Sequence, residues 1–423
     1  MFDKLMQIWK VRDLRNSILF ILGMLVIFRL AAHIPIPGVN IENLRLYFQS
    51  NQILGLMNLF SGGGMMNFSI VMLGVAPYIT ASIIFQLLGM IIPKLEELTK
   101  EEGGRQKINM YTRIATVPLA FLQAYGMIAI LQRSPQPIIE ANDITSLILM
   151  MLTITAGTIF LMWIGELISE KKIGNGISLL IFAGIVSSIP SSLQQLAINF
   201  SKDQLITLIV FAFVAVITVV GVVIITEGQR NIPVSYAKRV RGNRMYGGTN
   251  THLPLRVNQA GVIPIIFAIS IIMMPPMVGQ FMMRAKTQFI ANAGTWMSDV
   301  FQNNLVYGIS YFVLVFAFTY FYTAVIFHPT QIADNLQKSG GFIPGIRPGE
   351  QTSGYLQNTI SKITLFGALF LALIAVLPLI MQNVMGLQSM VIGGTSILIV
   401  VSVVIEMIKQ INSQLTMREY DEI

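Results

Sequence analysis

Long apolar runs alternate with short polar connectors from one end of the chain to the other. Windows of about 20 apolar residues suffice to cross a hydrocarbon layer about 30 Å thick as α-helices. Such windows fall at 17–34, 71–92, 113–132, 145–168, 176–198, 205–226, 259–282, 305–327, 361–381 and 390–408. The pattern predicts an all-α membrane protein with ten transmembrane helices, both termini on one side. Ten spans divide into two sets of five, and because five is odd the second set enters from the opposite face. That is the arrangement of an inverted repeat. The two halves would be residues 1–200 and 201–423, although no clear identity links their sequences.

Between the first two windows lies LGLMNLFSGGGMMNFSI, residues 54–70, apolar and methionine-rich but too short to cross. Gly62, Gly63 and Gly64 interrupt it. One reading is a re-entrant segment; backbone bent at membrane depth needs protein or a water-filled cavity around it, so this reading implies an internal cavity. The other is an amphipathic outer loop lying on the lipid surface. The pattern alone leaves both open.

Charge sets the orientation. Only 11% of residues are charged and 54% are hydrophobic, which excludes a chain folded mainly in water. The net charge of +8 comes from cations in the connectors. With the N-terminus inside, the outer segments hold only Arg45, Arg133, Lys202, Arg284 and Lys286, whereas most of the 28 Lys and Arg lie inside. This bias places both termini in the cytoplasm. The run that follows Lys4, Lys10, Arg12 and Arg15 lacks a small-residue cleavage site and reads as a retained first helix.

Two inner connectors are longer than helix linkage requires. Residues 227–258 carry VSYAKRV, a turn at Gly242-Asn243 and RMYGG, a β-hairpin pattern with several cations. Residues 328–360 hold Pro and Gly turns around Arg347. Both are candidate docking surfaces, and ordinary positive-inside decoration is the competing account.

Catalytic chemistry is missing from the pattern. There are no cysteines, His33, His252 and His328 are far apart, and HExxH and GxSxG are absent. GIGNGIS lacks both the Walker lysine and the third glycine of a dinucleotide loop. No cofactor, no metal site and no enzymatic activity are expected. Midspan carboxylates, which mark ion-coupled carriers, are also lacking; Arg29, Glu166, Glu227 and Glu406 lie near span ends, where long side chains reach the interface. Val75 with Ile79, and Ile177 with Ile181, each share a helical face, a spacing that ordinary packing also produces.

Several fragments in order go beyond generic pattern: FRLAAHIPIPGVN, NLFSGG, PYITASIIFQLL, GELISEKKIGNGISLLIFAGIV, EGQRNIPVSYAKR, THLPLRVNQAGVIPIIFA, FYTAVIFHPTQIADNLQKSGGFIPGIRPGEQT and GGTSILIVV. Together they resemble the bacterial SecY family, channel subunits of the Sec protein translocon, from about residue 10 to 410. The resemblance implies an hourglass of two five-helix halves that opens sideways to lipid between helices 2 and 3 and helices 7 and 8. It implies a pore ring at Val75, Ile79, Ile177, Ile181, Ile266 and Ile399. It also implies a re-entrant plug over 56–68, including Leu56, Asn58, Phe60, Ser61, Gly62, Gly63 and Phe68, and a lateral gate at Thr80, Met273 and Met274. Lys238, Arg239, Arg244 and Arg347 would receive the SecA ATPase or a translating ribosome. Asn231 and Asn243 depart from the arginines common at those family positions. SecE and SecG membrane subunits, preprotein signal sequences and membrane lipid complete the implied partners, in the inner cell membrane. The function implied is translocation of unfolded secretory proteins and lateral insertion of membrane proteins. An uncoupled small-solute transporter and a membrane scaffold for a cytoplasmic complex are the competing readings.

Overall fold

The computed structural model describes residues 9–50, 58, 61–101, 103–132, 137–139, 143–198, 205–236, 239–241, 244–246, 250–272, 274–283, 287–385 and 394–421. Its first half contains α1 (Arg12–Ala31), α2 (Ile41–Ser50), α3 (Ala76–Ile91), α4 (Pro93–Lys100), α5 (Gly104–Leu131), α6 (Ile144–Glu170) and α7 (Gly176–Ile198). The second half begins with α8 (Leu205–Glu227) and strands β1 (Gln229–Tyr236), β2 (Arg239–Arg241), β3 (Arg244–Tyr246) and β4 (Asn250–Arg256). It continues with α9 (Ile263–Ile272), α10 (Met274–Met282), α11 (Gln288–Gln302), α12 (Asn304–Ile326) and α13 (Pro329–Lys338). Strand β5 (Gly341–Phe342), α14 (Glu350–Met385) and α15 (Gly394–Asp421) complete it.

Among the described residues, six helices are long and apolar enough to cross a membrane, and four shorter apolar helices occupy the other expected span positions. Several boundaries move. The window 71–92 becomes helical only at Ala76, because Gly74 takes φ +59 and Pro77 suits a first helical turn. The window 259–282 is not helical from its start. Asn258 accepts from the Gly261 amide at 2.9 Å, so the turn delays helix onset to Ile263. α9 is described to Ile272 and α10 from Met274, with Met273 outside the described residues. Helices α5, α14 and α15 outrun their apolar windows, and α2, α4 and α11 lie outside every window.

The two halves share one packing scheme. In the first, α3 packs on α5, α5 on α6, α6 on α7, and α1 on both α6 and α7. In the second, α9 packs on α12, α12 on α14, α14 on α15, and α8 on both α14 and α15. These pairings correspond when the span count is shifted by five, so topology repeats where sequence does not. The principal helix contacts between halves are α3 with α9, α5 with α10, and α7 with α15.

Adhesion differs in kind across these boundaries. Phe85 stacks on Tyr111 with ring centroids 6.2 Å apart, joining α3 to α5. Phe267 meets Phe318 and Tyr322 edge-on at 6.1 and 5.9 Å, joining α9 to α12. Aromatic pairs of this geometry add about 0.5–1.5 kcal/mol beyond area burial. The boundary between α3 and α9 lies among aliphatics such as Ile79, Ile83, Ile266 and Ile269.

Candidate functional site

The centre of the bundle is a single apolar cluster. Val75, Ile79, Ile181, Ile266 and Ile399 are all buried within it, and partly buried Ile177 packs against it. They come from the start of α3, the first half of α7, the start of α9 and the start of α15. Val75 and Ile79 are one turn apart on the residues that cap and open α3, and the Ile79 amide donates to the Val75 carbonyl at 3.1 Å. Ile177 sits in the first turn of α7 and leans on α6, where a Cβ added to Gly165 would lie 2.6 Å from its Cδ1. Aliphatic carbons offer water no hydrogen bonds, so a narrow passage opened among such side chains would dewet and block ions.

The end of the Gly/Met segment and the residues after it reach this cluster through Ile70, Val71 and Val75. Residues 61–75 form consecutive turns instead of a helix, yet Ser61, Met65, Phe68, Ser69, Val71, Met72 and Val75 are buried. The surface-loop alternative therefore fails for the described part: protein covers this irregular backbone. Its amide groups are satisfied locally. Asn58 accepts from the Met66 amide through Oδ1 at 2.9 Å and from the Gly63 amide through its carbonyl at 2.9 Å. The Ile36 amide donates to the Phe68 carbonyl and the Ile70 amide to the Ile34 carbonyl, a short antiparallel bridge to the chain leaving α1. Met65, Phe68 and Met72 anchor the segment in a second apolar cluster with Leu44, Phe48, Met127, Ile128 and Ile154.

Two close approaches hold it. Gly62 has φ +66, and a Cβ there would meet the Phe28 ring at 2.7 Å and Gly184 at 3.0 Å. Gly157 on α6 has the tighter fit, since a Cβ would lie 1.9 Å from the Ile70 carbonyl oxygen. Arg29 donates from Nη1 to the Gly62 carbonyl. The sequence pattern assigned Arg29 an interfacial reach, and the structure corrects this by turning it inward onto the glycine loop. The signal that could have found it is an arginine one turn from the end of an otherwise apolar α1, followed by a glycine run. Leu56 and Phe60 lie outside the described residues.

At the boundary between halves, Thr80 is buried on α3 and its hydroxyl donates to the Ala76 carbonyl at 3.0 Å. Met274 opens α10, which packs against α5. Met273 lies outside the described residues.

The two inner connectors come together as one unit, which the separate loop readings did not foresee. β1 pairs antiparallel with β4 from Gln229↔Arg256 to Ser235↔Asn250, and β5 adds to the free edge of β1 at Ser235↔Phe342 and Tyr236↔Gly341. Ile232 and Val234 alternate inward on β1, as a half-buried strand requires. Ile232, Leu255, Ile343, Leu356 and Ile360 form a small core that fastens this sheet to the start of α14. Beyond it, β2 and β3 pair with Arg241 opposite Arg244 and Arg239 opposite Tyr246, the hairpin expected around Gly242-Asn243. Arg347 is exposed in the turn between β5 and α14, and its carbonyl accepts from the Thr352 hydroxyl at 2.9 Å. Residues 328–360, read as turns, also contain α13 and β5. Lys238 lies outside the described residues.

Residues 69–408 match the SecY family. The protein translocase subunit SecY of Mycobacterium tuberculosis (strain ATCC 25618 / H37Rv) is 46% identical over 431 residues, covering 97% of this chain and 96% of that relative. The fold matches a solved SecY protein whose plug domain stabilises the closed state of the translocation channel and maintains a membrane seal. That match has a TM-score of 0.64 and 20% identity, over 93% of this chain and 91% of that one. It also matches Sec61 in the canine ribosome-channel complex from the endoplasmic reticulum, with a TM-score of 0.59 and 17% identity over 93% and 91% of the two chains. Sequence identity along nearly the whole length and a shared ten-span architecture lead to one conclusion: the chain belongs to the SecY family.

Proposed function

We propose that this chain is the protein-conducting channel of a Sec translocase, passing unfolded secretory proteins across the membrane and releasing apolar segments sideways into lipid. The observation that carries this reading is the waist itself. Aliphatic side chains from both halves meet in one cluster, and a turn-built segment covered by protein reaches it through Val71 and Val75. Val75, Ile79, Ile177, Ile181, Ile266 and Ile399 form the pore ring; aliphatics seal against ions and fit loosely around any passing side chain. Residues 56–68 are the plug.

The lateral gate runs along α3 with α9 and α5 with α10, near Thr80, Met273 and Met274. Its seam is aliphatic, so an apolar signal helix replaces those contacts with equivalent ones and favours the open state by binding it better. The halves 1–200 and 201–423 part there and stay joined where α7 meets α15. The chain is not itself an enzyme: SecA or a translating ribosome supplies the driving force, docking on Lys238, Arg239, Arg244 and Arg347. SecE and SecG complete the complex in the inner cell membrane, with both termini of this chain cytoplasmic.

Disulfide trapping tests the reading directly, because the native chain has no cysteine. A stalled preprotein carrying one cysteine is expected to crosslink to cysteines placed at Ile79, Ile181 and Ile399. Capture only at exposed positions of α8 such as Ile209 or Phe213, and never at the waist, overturns it.

A further inference from the structure

Helix α11 divides lengthwise into three faces. Gly294 and Ser298 are buried against α10. Gln288, Asn292, Thr295 and Asp299 form a polar face. Between the two, Phe289 and Trp296 stand seven residues apart on a third face and are 81% and 68% exposed. Ala293 and Val300 lie between and beyond them on that same face.

The contact with α10 is a close backbone crossing. A Cβ on Gly279 would lie 2.8 Å from the Gly294 carbonyl oxygen, and one on Gly294 would lie 2.5 Å from the Gly279 carbonyl oxygen. Such mutual exclusion of side chains lets the two backbones touch and leaves little room for sliding. α11 then runs through Asn303, whose side chain accepts from the Leu305 amide at 3.0 Å, into α12. On α12 the exposed apolar face begins at once with Leu305 and Ile309.

We propose that α11 is an interfacial helix whose Phe289 and Trp296 insert into the headgroup boundary of the outer leaflet, the polar face turned to water. Three observations select lipid as the occupant. The helix links two spans without a polar connector long enough to leave the surface; its aromatic face borders a polar face instead of a second apolar one; and its end is continuous with the lipid-facing residues of α12. An indole, with an apolar ring and one N–H donor, suits that boundary. Through Gly279 and Gly294, α10 is tied to the same leaflet, so the half of the gate built on α10 has a lipid anchor at its outer end. This last clause rests on the gate reading above; the anchoring itself does not.

The test uses the complete translocase in vesicles, with Trp9, Trp163 and any tryptophan of the other subunits replaced by Phe so that Trp296 alone emits. Lipids brominated near the headgroup are expected to quench it more strongly than lipids brominated near the chain ends, while aqueous iodide quenches weakly. Replacing Phe289→Gln should lower the bromolipid quenching and raise the iodide quenching, with preprotein transport retained. A Trp296 reached by iodide and untouched by bromolipid overturns the proposal. So does a photoreactive residue at 289 that captures a protein chain in place of lipid. Failure of transport with intact Trp296 quenching would count against the channel reading and leave the anchor standing.

Discussion

The connector after the first span of each half makes an instructive pair. In the first half the described residues 61–75 turn through the bundle under the cover of its helices; in the second, β1 and β4 pair as a β-ribbon. They occupy the same place in the repeat and, because the halves are inverted, lie on opposite faces of the membrane. Composition explains the divergence. The first is rich in Gly and Met and keeps positive φ at Gly62, Gly63, Phe68 and Gly74, so no regular ladder forms, and the surrounding helices cover the turns. The second alternates apolar and polar residues, which pairs strands in water and buries only one edge of side chains. The corresponding connector is thus covered by helices in the first half and forms a sheet in the second.

Four substitutions would break or sharpen that contrast. Leu356→Ala empties the small core under the ribbon, at about 2–5 kcal/mol for a buried leucine. The ribbon should become protease-sensitive and SecA-driven transport should fall, with ion conductance through the resting channel unchanged. Gly157→Ala drives a methyl group into the Ile70 carbonyl, an overpacking of about 1–3 kcal/mol. Here the opposite split is expected: raised ion leak in planar bilayers, with the ribbon's protease resistance kept. Ile399→Asn leaves an amide among aliphatics, about 1–3 kcal/mol if unpaired. It should raise leak and relax the demand for a strong signal sequence; unchanged conductance and selectivity would count against Ile399 in the ring. Arg347→Glu reverses an exposed charge and should shift stability by less than about 0.5 kcal/mol. Normal SecA-dependent transport in that variant would defeat the docking assignment.

Legibility in the sequence followed the periodicity of each segment. α6 and α8 were readable to within two residues because uninterrupted apolar runs leave the helix no competitor. The β2–β3 hairpin was readable because alternation brackets Gly242-Asn243. The exposed face of α11 was unreadable, since Phe289 and Trp296 mark it only after Gly294 is known to touch Gly279. In the candidate site, the pairs Val75/Ile79 and Ile177/Ile181 shared faces on paper, but nothing in the spacing ties Ile266 and Ile399 to them. Resemblance to SecY supplied that link.

By itself the sequence determined the solvent, the number of crossings and the odd-numbered halves, because each depends on local hydrophobicity summed along the chain. Only the tertiary structure decided that the glycine loop lies under protein, that Arg29 turns to meet it, and that two distant inner loops share one sheet. Those outcomes depend on contacts between residues far apart in sequence, and no local preference encodes which distant surface a flexible segment will meet.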